Sequence, residues 1–312
     1  MALWQIILIS LIFIFGIAYL ILNREWKQLD QKARDSMDCS FALLEKGYVH
    51  YELEGNPLNP LVVLIHGFST PSYTWAPTCQ ALHRAGFSTL RFDLYGRGSS
   101  DRPNLDYDID LFVQQLKQLL DVLGIDQPYH LVGLSMGGPI SATFANQHSD
   151  SLRSLTLIDP VVTNIFRTGI GPIKLPVVGE ILMTFYLAPF NLRQSQSDDL
   201  HHPETFPEWQ AQYKDQMCYK GFRRAILSTM RCMAKEDTLG QYQQLAEKEV
   251  PVLIIRGEQD RTISFEDIQL LRATLPHHRF EAIPDAGHIP HYEKPEMVNS
   301  VLVEFFSENN SY

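Results

Sequence analysis

The sequence predicts an α/β fold in which a mostly parallel sheet is covered by helices on both faces. Short apolar runs rich in β-branched residues alternate with longer amphipathic segments along most of the 312-residue chain. Strands buried on both faces read as continuous apolar runs, and strand–helix alternation builds right-handed parallel βαβ units. Two segments depart from this alternation: an uncharged N-terminal run and a central stretch without strand patterns. We therefore expect a core in two sequence parts, a helical insertion and an N-terminal helix.

The N-terminal run, Leu3–Leu22, contains no charged residue. At 1.5 Å per residue, a helix of this length spans about 30 Å, the thickness of the hydrocarbon core of a bilayer. A cleaved signal peptide is the main alternative, but it would need a basic residue before the run and a small-residue cleavage site after it. A core helix of a soluble protein is a further alternative. We favour a transmembrane anchor at residues 1–22 and a mixed-charge stalk at residues 23–38.

Basic residues follow the predicted anchor and are absent before it. Arg24, Lys27, Lys32 and Arg34 lie within the first dozen residues after Leu22. Basic residues near a membrane span tend to stay on the cytoplasmic side. The sequence therefore predicts a single-pass membrane protein whose remaining chain faces the cytoplasm.

The alternating region predicts seven strands and five helices. The strand-like segments are Tyr48–Glu54, Leu61–Ile65, Ser88–Phe92, Tyr129–Leu134, Ser154–Ile158, Val252–Ile255 and Arg279–Ile283. The helix-like segments are Trp75–Ala85, Ile109–Leu123, Ile140–His148, Phe265–Leu275 and Glu296–Phe306. In the strand-like segments apolar residues alternate with polar ones or form a short continuous run, whereas in the helix-like segments they recur about every 3.6 residues.

The central stretch predicts a cap. Residues 161–248 hold apolar helical patches and no credible buried strand, whereas residues 39–160 and 249–312 form the two parts of the core. Open α/β sheets bind ligands at the carboxyl ends of their strands. An insertion placed there would cover a binding site.

Composition narrows the class of protein. The chain is 45% hydrophobic and 20% charged with a net charge of −10, which fits a folded globular protein and disfavours disorder or a coiled coil. A general nucleic-acid binder needs a basic face, so we expect no nucleic-acid partner. The four cysteines form no C-x-x-C pair and are interpreted as ordinary thiols.

A serine motif lies at a predicted strand-to-helix junction. The segment Gly133-Leu134-Ser135-Met136-Gly137 ends the strand Tyr129–Leu134. In such a turn the serine is held in a strained conformation that projects its hydroxyl above the sheet. Flanking glycines are needed where the strand and helix pass too close for a Cβ atom. A tight turn with an ordinary surface serine is the alternative, and we favour a nucleophile at Ser135.

A second motif, His66-Gly67-Phe68, follows the strand Leu61–Ile65. In this arrangement the loop after that strand and the residue after the nucleophile supply two backbone N–H groups that hold an oxyanion. These residues are Phe68 and Met136. We interpret His66 as a structural imidazole that braces the loop.

Two later strands end in the remaining candidates for a triad. Asp260 follows Val252–Ile255, and His288 follows the last strand, so the chain order is serine, acid, histidine. His288 would accept the serine proton, and Asp260 would fix the imidazole tautomer. Asp159 and Asp285 are alternatives for the acid, and we favour Asp260.

Other polar groups receive structural interpretations. Asp93 is expected to organise its loop, paired with Arg97. The histidines at positions 201, 202, 277, 278 and 291 lie outside any H-E-x-x-H helix, so we expect no metal. No phosphate-binding glycine loop is found, so no cofactor is implied.

Taken together, these motifs resemble the α/β-hydrolase fold superfamily. They are HGF at 66–68, DLYGRGSSDRP at 93–103, GLSMGG at 133–138, GEQD at 257–260 and AGH-x-P-x-x-E-x-P from 286, and the resemblance runs from about Gly47 to Phe306. With its single anchor, the chain is most similar to membrane-bound monoacylglycerol lipases and carboxylesterases. Dehalogenases and epoxide hydrolases of this fold use an aspartate nucleophile, so Ser135 argues against both.

The resemblance implies a cofactor-independent carboxylic ester hydrolase acting on monoacylglycerol or another lipid ester. A carbon–carbon bond hydrolase of β-diketones and a cofactor-free perhydrolase are alternatives on the same fold. A catalytically silent receptor and a membrane-tethered scaffold are alternatives of another class, which the complete triad disfavours.

An apolar part of the predicted cap bears on the substrate. Ile170–Leu192 contains only two charged residues, but its uncharged run Ile181–Leu192 is too short to cross a membrane. Together with the helical series Tyr219, Phe222, Ile226, Met230 and Met233, this face could pack on the core or form an acyl-chain wall. We favour the wall and expect a preference for medium or longer acyl chains over acetate.

Overall fold

The computed structural model describes residues 2–22, 25–163 and 171–310. Arg24 of the predicted charge pattern and residues 164–170 of the predicted cap lie outside the described residues. The strands are β1 Ser40–Leu44, β2 Gly47–Glu54, β3 Leu61–Ile65, β4 Ser88–Phe92, β5 Tyr129–Leu134, β6 Leu152–Ile158, β7 Val252–Gly257 and β8 His278–Ile283. They form one sheet in the order β1-β2-β4-β3-β5-β6-β7-β8.

The sheet is mostly parallel, as predicted. Among the described strands, the pairs β1–β2 and β2–β4 are antiparallel, and every pair from β4 to β8 is parallel. In β3, Val63 and Ile65 enter one apolar cluster, whereas Val62 and Leu64 enter the other. Burial on both faces explains why this strand is a continuous apolar run.

Helices cover both faces of the sheet. They are α1 Leu3–Leu22, α2 Gln31–Asp35, α3 Ala76–Arg84, α4 Ile109–Val122, α5 Gly137–His148, α6 Val178–Leu182, α7 Leu192–Asp198, α8 Trp209–Gln216, α9 Phe222–Met233, α10 Thr238–Leu245, α11 Phe265–Thr274, α12 Pro290–Glu293 and α13 Pro295–Glu308. A π-helical segment, Met183–Asn191, joins α6 to α7. The five predicted helices correspond to α3, α4, α5, α11 and α13, with ends that differ by up to three residues.

Strand β1 was not predicted. It is an edge strand whose only neighbour is β2, and just two of its five residues are buried. A half-exposed strand of this length carries too few alternating positions to reveal itself by periodicity.

Helix α1 lies outside the core. It is long and apolar enough to cross a membrane, and none of its residues is buried. The core-helix alternative is therefore wrong, while a membrane anchor and a signal sequence both fit such a helix.

The described part of the predicted stalk, residues 25–38, contains α2 and contacts the folded domain. Asp30 caps α2 by accepting a hydrogen bond from the Ala33 N–H at 2.8 Å, and Arg34 forms an ion pair with Asp101 at 3.1 Å. Residues 25–36 therefore pack along the folded domain.

The described part of the predicted cap is helical. Residues 171–248 contain α6 to α10 and the π-helical segment, and no strand. They follow β6 and precede β7, so they leave the sheet at its carboxyl edge.

Candidate active site

Ser135 lies between β5 and α5 in a left-handed backbone conformation, with a φ of 54°. A Cβ on Gly133 would lie 2.3 Å from the Gly137 carbonyl oxygen, and a Cβ on Gly137 would lie 2.7 Å from that of Ile65. Both positions therefore require glycine. The tight packing holds the turn in a conformation that a non-glycine residue rarely adopts.

The structure brings Ser135, His288 and Asp260 into one chain of hydrogen bonds. Nε2 of His288 lies 2.8 Å from Oγ of Ser135, and Nδ1 lies 2.9 Å from Oδ2 of Asp260. The other carboxylate oxygen, Oδ1 of Asp260, accepts from the backbone N–H groups of Thr262 and Ile263 at 2.7 and 3.1 Å. Asp260 is thus fixed by its own loop and directed at His288.

The contact between Asp260 and His288 shifts the pKa values of both groups in opposite directions. Burial alone would lower the pKa of His288, but the Asp260 carboxylate raises it above its ordinary value. Burial would likewise raise the pKa of Asp260, but His288 lowers it below its ordinary value. The pair therefore favours an ionised Asp260 beside an imidazole able to take up a proton.

Asp159, the first alternative for the acid, lies behind Asp260. It follows β6 with a φ of 39°, is completely buried, and accepts from the Gly257 N–H at 3.0 Å. Oxygens of Asp159 and Asp260 and a nitrogen of His288 lie within 4.8 Å of one another. Burial, with the negative Asp260 adding to it, raises the pKa of Asp159 well above its ordinary value. These opposite shifts favour a neutral Asp159 beside an ionised Asp260.

Asp285, the second alternative, lies on the surface. Its carboxylate pairs with Lys294 at 2.5 Å and with Nε2 of His202 at 2.8 Å. It is thus engaged away from His288.

The loop after β3 lies against the serine. A Cβ on Gly67 would lie 3.2 Å from Cβ of Ser135, and the Phe68 carbonyl accepts from Nε of Arg97 at 2.8 Å. His66 braces this loop, since its Nε2 accepts from the Leu94 N–H at 2.9 Å. Burial lowers the pKa of His66 to about 4, so this imidazole is neutral.

Asp93 organises its loop, but not through Arg97. Its carboxylate binds Nδ1 of His50 at 2.8 Å and accepts from Ser72 and from the Ser99 N–H. Arg97 instead donates to the Phe68 carbonyl and to the Thr229 hydroxyl. The predicted ion pair is therefore wrong, because backbone turns at 93–99 direct the two side chains to different partners.

Within the described residues, two groups bring histidine and carboxylate ligand atoms within 4.8 Å: His201, His202 and Asp285, and Asp159, Asp260 and His288. In the second group both ring nitrogens of His288 are already hydrogen-bonded. In the first, Asp285 is neutralised by Lys294. Histidine 291 is buried and bonded to the Thr74 hydroxyl through Nε2 at 2.9 Å. These groups have protein partners that account for their positions.

Residues 171–248 contact the loops around Ser135 and His288 through side-chain and backbone groups that the sequence did not reveal. Gln216 donates to the Ser69 carbonyl at 2.7 Å, and Gln196 accepts from the Thr70 hydroxyl at 2.9 Å. The Asp199 carbonyl accepts from the His288 N–H at 2.8 Å. These contacts join residues more than 80 positions apart, so no local sequence pattern predicts them.

Glu293 is another positioning residue, and here the sequence did hold a signal. Its carboxylate accepts from the Gly287 N–H at 2.6 Å and from the backbone N–H groups of His201 and His202 at 2.8 and 3.0 Å. It therefore ties the loop that carries His288 to the segment after α7. Glu293 is the glutamate of the quoted AGH-x-P-x-x-E-x-P motif.

This arrangement can move a proton from a serine hydroxyl to an imidazole. Ser135 is 6% exposed and His288 is 5% exposed, so the transfer takes place away from bulk water. Charge-assisted hydrogen bonds are stronger in such a setting. The N–H of Met136 lies at the start of α5, where the helix dipole favours negative charge.

Comparison with known proteins agrees with this architecture. The family model described as the alpha/beta hydrolase fold matches residues 60–295. "Epoxide hydrolase 3" of Xenopus tropicalis is 26% identical over 282 residues, which cover 83% of this chain and 75% of that protein. "Monoacylglycerol lipase ABHD6" of Bos taurus is 22% identical over 271 residues, 84% of this chain and 80% of that one. A solved thermophilic esterase from Thermogutta terrifontis has the same fold, with a TM-score of 0.73, 22% identity, and coverage of 88% of this chain and 99% of that one.

Proposed function

The chain belongs to the alpha/beta hydrolase fold family, and from that premise we propose that it is a serine hydrolase that cleaves carboxylic esters. The observation that carries the proposal is the hydrogen-bond chain from Ser135 through His288 to Asp260, at 2.8 and 2.9 Å. The epoxide hydrolases of this fold use an aspartate where this chain has Ser135, so ester cleavage is favoured over epoxide opening.

In the acylation step, Oγ of Ser135 attacks the ester carbonyl carbon while Nε2 of His288 takes the hydroxyl proton. The carbon–oxygen bond to the alcohol then breaks, and the alcohol leaves with the proton from His288. Asp260 holds the Nδ1–H tautomer and stabilises the imidazolium.

In the deacylation step, water attacks the acyl-serine and gives a proton to His288, which returns it to Ser135 as the acid leaves. The N–H groups of Phe68 and Met136 are proposed to hold the oxyanion in both steps. The position of Gly67 against Ser135 supports the role of the Phe68 loop.

We further propose that the substrate is a lipid ester, with monoacylglycerol as the first candidate. The apolar composition of residues 171–192, the exposed apolar α1 and the monoacylglycerol lipase among the relatives support this choice. An acyl chain would extend against buried apolar side chains of residues 171–248, such as Ile173, Met183 and Ile226, and not against the exposed ones such as Leu175.

Ser135→Ala tests the reaction. The variant is expected to lose ester turnover and covalent labelling by a fluorophosphonate while keeping its far-UV circular dichroism. Ser141→Ala, which removes another hydroxyl one turn along α5, is the matched control and should keep both activities. Labelling of the folded Ser135→Ala chain would refute the assignment of the nucleophile.

We also propose that α1 anchors the chain as a single membrane span, with the hydrolase domain on the cytoplasmic side. The basic residues after Leu22 support this orientation. Protease added to intact cells should then spare residues 39–312, and detergent should expose them. Digestion without detergent would show that the hydrolase domain faces the outside of the cell.

A further inference from the structure

Large apolar side chains are exposed between the turn before α6 and the end of the π-helical segment. We call these residues the cap tip: Leu175, Val177, Val178, Ile181, Tyr186 and Phe190. Lys174 and Glu180 are the only charged residues from 172 to 192, and Glu180 is paired with Arg231 at 2.8 Å. An exposed apolar surface with so little charge marks a contact with a membrane or another protein.

The π-helical segment that carries part of the cap tip contacts helix α1. The ring of Phe185, which lies within the same segment, is 4.6 Å from the ring of Phe15 and 6.4 Å from that of Tyr19. Phe15 precedes the end of α1 at Leu22 by seven residues, or about 10 Å along the helix axis. When α1 spans a bilayer, a side chain that touches Phe15 must therefore lie deeper in the membrane than Leu22.

The chain just after α1 is fastened to the domain, which fixes this depth. The Glu25 carboxylate accepts from the N–H groups of Gly221 and Arg223 at 3.0 and 2.7 Å. The N–H of Lys27 donates to the Cys218 carbonyl at 2.9 Å, and its side chain pairs with Asp215. Glu25 follows Leu22 by only three positions, so the domain has little freedom to move away from the end of the helix.

We infer that the cap tip is a second membrane contact, inserted into the leaflet in which α1 ends, and that its occupant is the lipid bilayer. The inference rests on the proposed membrane anchor. Interfacial helices sit about 5–10 Å into the boundary between headgroups and acyl chains, which agrees with the position of Phe15. Residues 178–198 are continuously helical, and a helix makes most of its backbone hydrogen bonds internally, as insertion into a bilayer requires.

This contact places the cap against the leaflet that would supply a lipid ester. The substrate could then pass from the leaflet to Ser135 beneath the cap without crossing bulk water. The contact also fixes the orientation of the domain at two points, the Glu25 region and the cap tip.

Depth is measured on the full chain in phosphatidylcholine vesicles that contain lipids brominated near the headgroup end of the acyl chain. Phe190→Trp and Leu58→Trp each add one tryptophan at an exposed site, since Phe190 is 62% and Leu58 is 91% exposed. After subtraction of the parent fluorescence, the added signal of Phe190→Trp should be quenched and that of Leu58→Trp should not. An unquenched signal at position 190 would overturn the inference.

Activity separates this contact from a merely structural role. Leu175→Glu is expected to lower kcat/KM about tenfold for a long-chain ester carried in vesicles, because a charge opposes insertion. Turnover of a water-soluble butyrate ester should stay unchanged, and the matched control Leu58→Glu should affect neither substrate. Equal losses on both substrates would overturn the inference.

Two further outcomes are decisive. If the parent chain hydrolyses no ester, the proposed function fails, while the quenching experiment still decides the inference. If Phe190→Trp is unquenched and Leu175→Glu breaks up a dimer of the parent chain, the surface belongs to a second copy and the inference is wrong.

Discussion

The Ser135–His288–Asp260 cluster and the cap tip both contain features that are unfavourable in isolation. The first is stabilised by contacts within the protein, and the second needs a partner outside it. Ser135 and Asp159 have left-handed backbones, and three ionisable groups are buried together. Their cost is offset by hydrogen bonds within the protein, for example those from Gly257, Thr262 and Ile263. The cap tip instead exposes large apolar side chains, and their contact with water is unfavourable in free energy. This contact is removed only when a membrane or another molecule covers them. The first region is therefore specified by the protein itself, and the second by its environment.

The largest expected effect comes from Asp260→Asn, which breaks the self-contained region. An asparagine cannot stabilise the imidazolium and allows the wrong tautomer of His288, so kcat for ester hydrolysis should fall by on the order of 10⁴. The pH profile also changes, because His288 must be neutral to act as a base and Asp260 raises its pKa. The acid limb of kcat/KM should therefore move to lower pH in the variant.

Asp159→Asn is the matched control for that experiment. Because the raised pKa of Asp159 favours its neutral form, an amide of the same size can replace the neutral carboxyl and still accept from Gly257. Its kcat should stay within about tenfold of the parent value, which corresponds to about 1.4 kcal/mol. If Asp159→Asn proved the more damaging of the two, the acid would be the residue after β6.

A smaller effect is expected on the free energy of unfolding, which should differ between a substitution in the core and one at the cap tip. Leu131 lies in β5 and is fully buried, so Leu131→Ala should lower the free energy of unfolding by about 2–5 kcal/mol. Leu175→Ala at the cap tip, where the side chain is 56% exposed, should change it by less than about 0.5 kcal/mol. Urea unfolding of the two variants in the same detergent measures the difference. A loss at Leu175 as large as that at Leu131 would mean that the tip packs as core.

The smallest expected effect concerns the acyl chain. If apolar residues of the cap contact it, kcat/KM should rise from acetate to octanoate esters by at least about tenfold, a fraction of the gain from burying six methylene groups at about 0.8 kcal/mol each. A series of p-nitrophenyl esters below their critical micelle concentration measures this rise. Flat or falling values would assign the apolar face to packing alone.

The sequence alone determined the parts of the protein that depend on short-range constraints. The boundaries of β3, β4 and β5 agree with prediction. Strand β3 is an unbroken apolar run because it is buried on both faces, and β4 and β5 are short runs rich in residues that favour strands. The turn at Ser135 was predictable because its neighbours, Gly133 and Gly137, leave no space for a Cβ atom. Asp260 and His288 could be selected because each lies within five residues of the end of a strand and their order fits the motif.

The tertiary structure decided the relations between residues far apart in the chain. The pairing of Asp93 with His50, the close approach of Asp159 to Asp260, and the attachment of Glu25 to the start of α9 each join segments that are far apart in the sequence. Periodicity records which face of an element is apolar, but not which partner covers it. For the same reason, the sequence marked residues 170–192 as apolar, and only the folded chain showed that six of those side chains are exposed and that Phe185 of the same segment contacts helix α1.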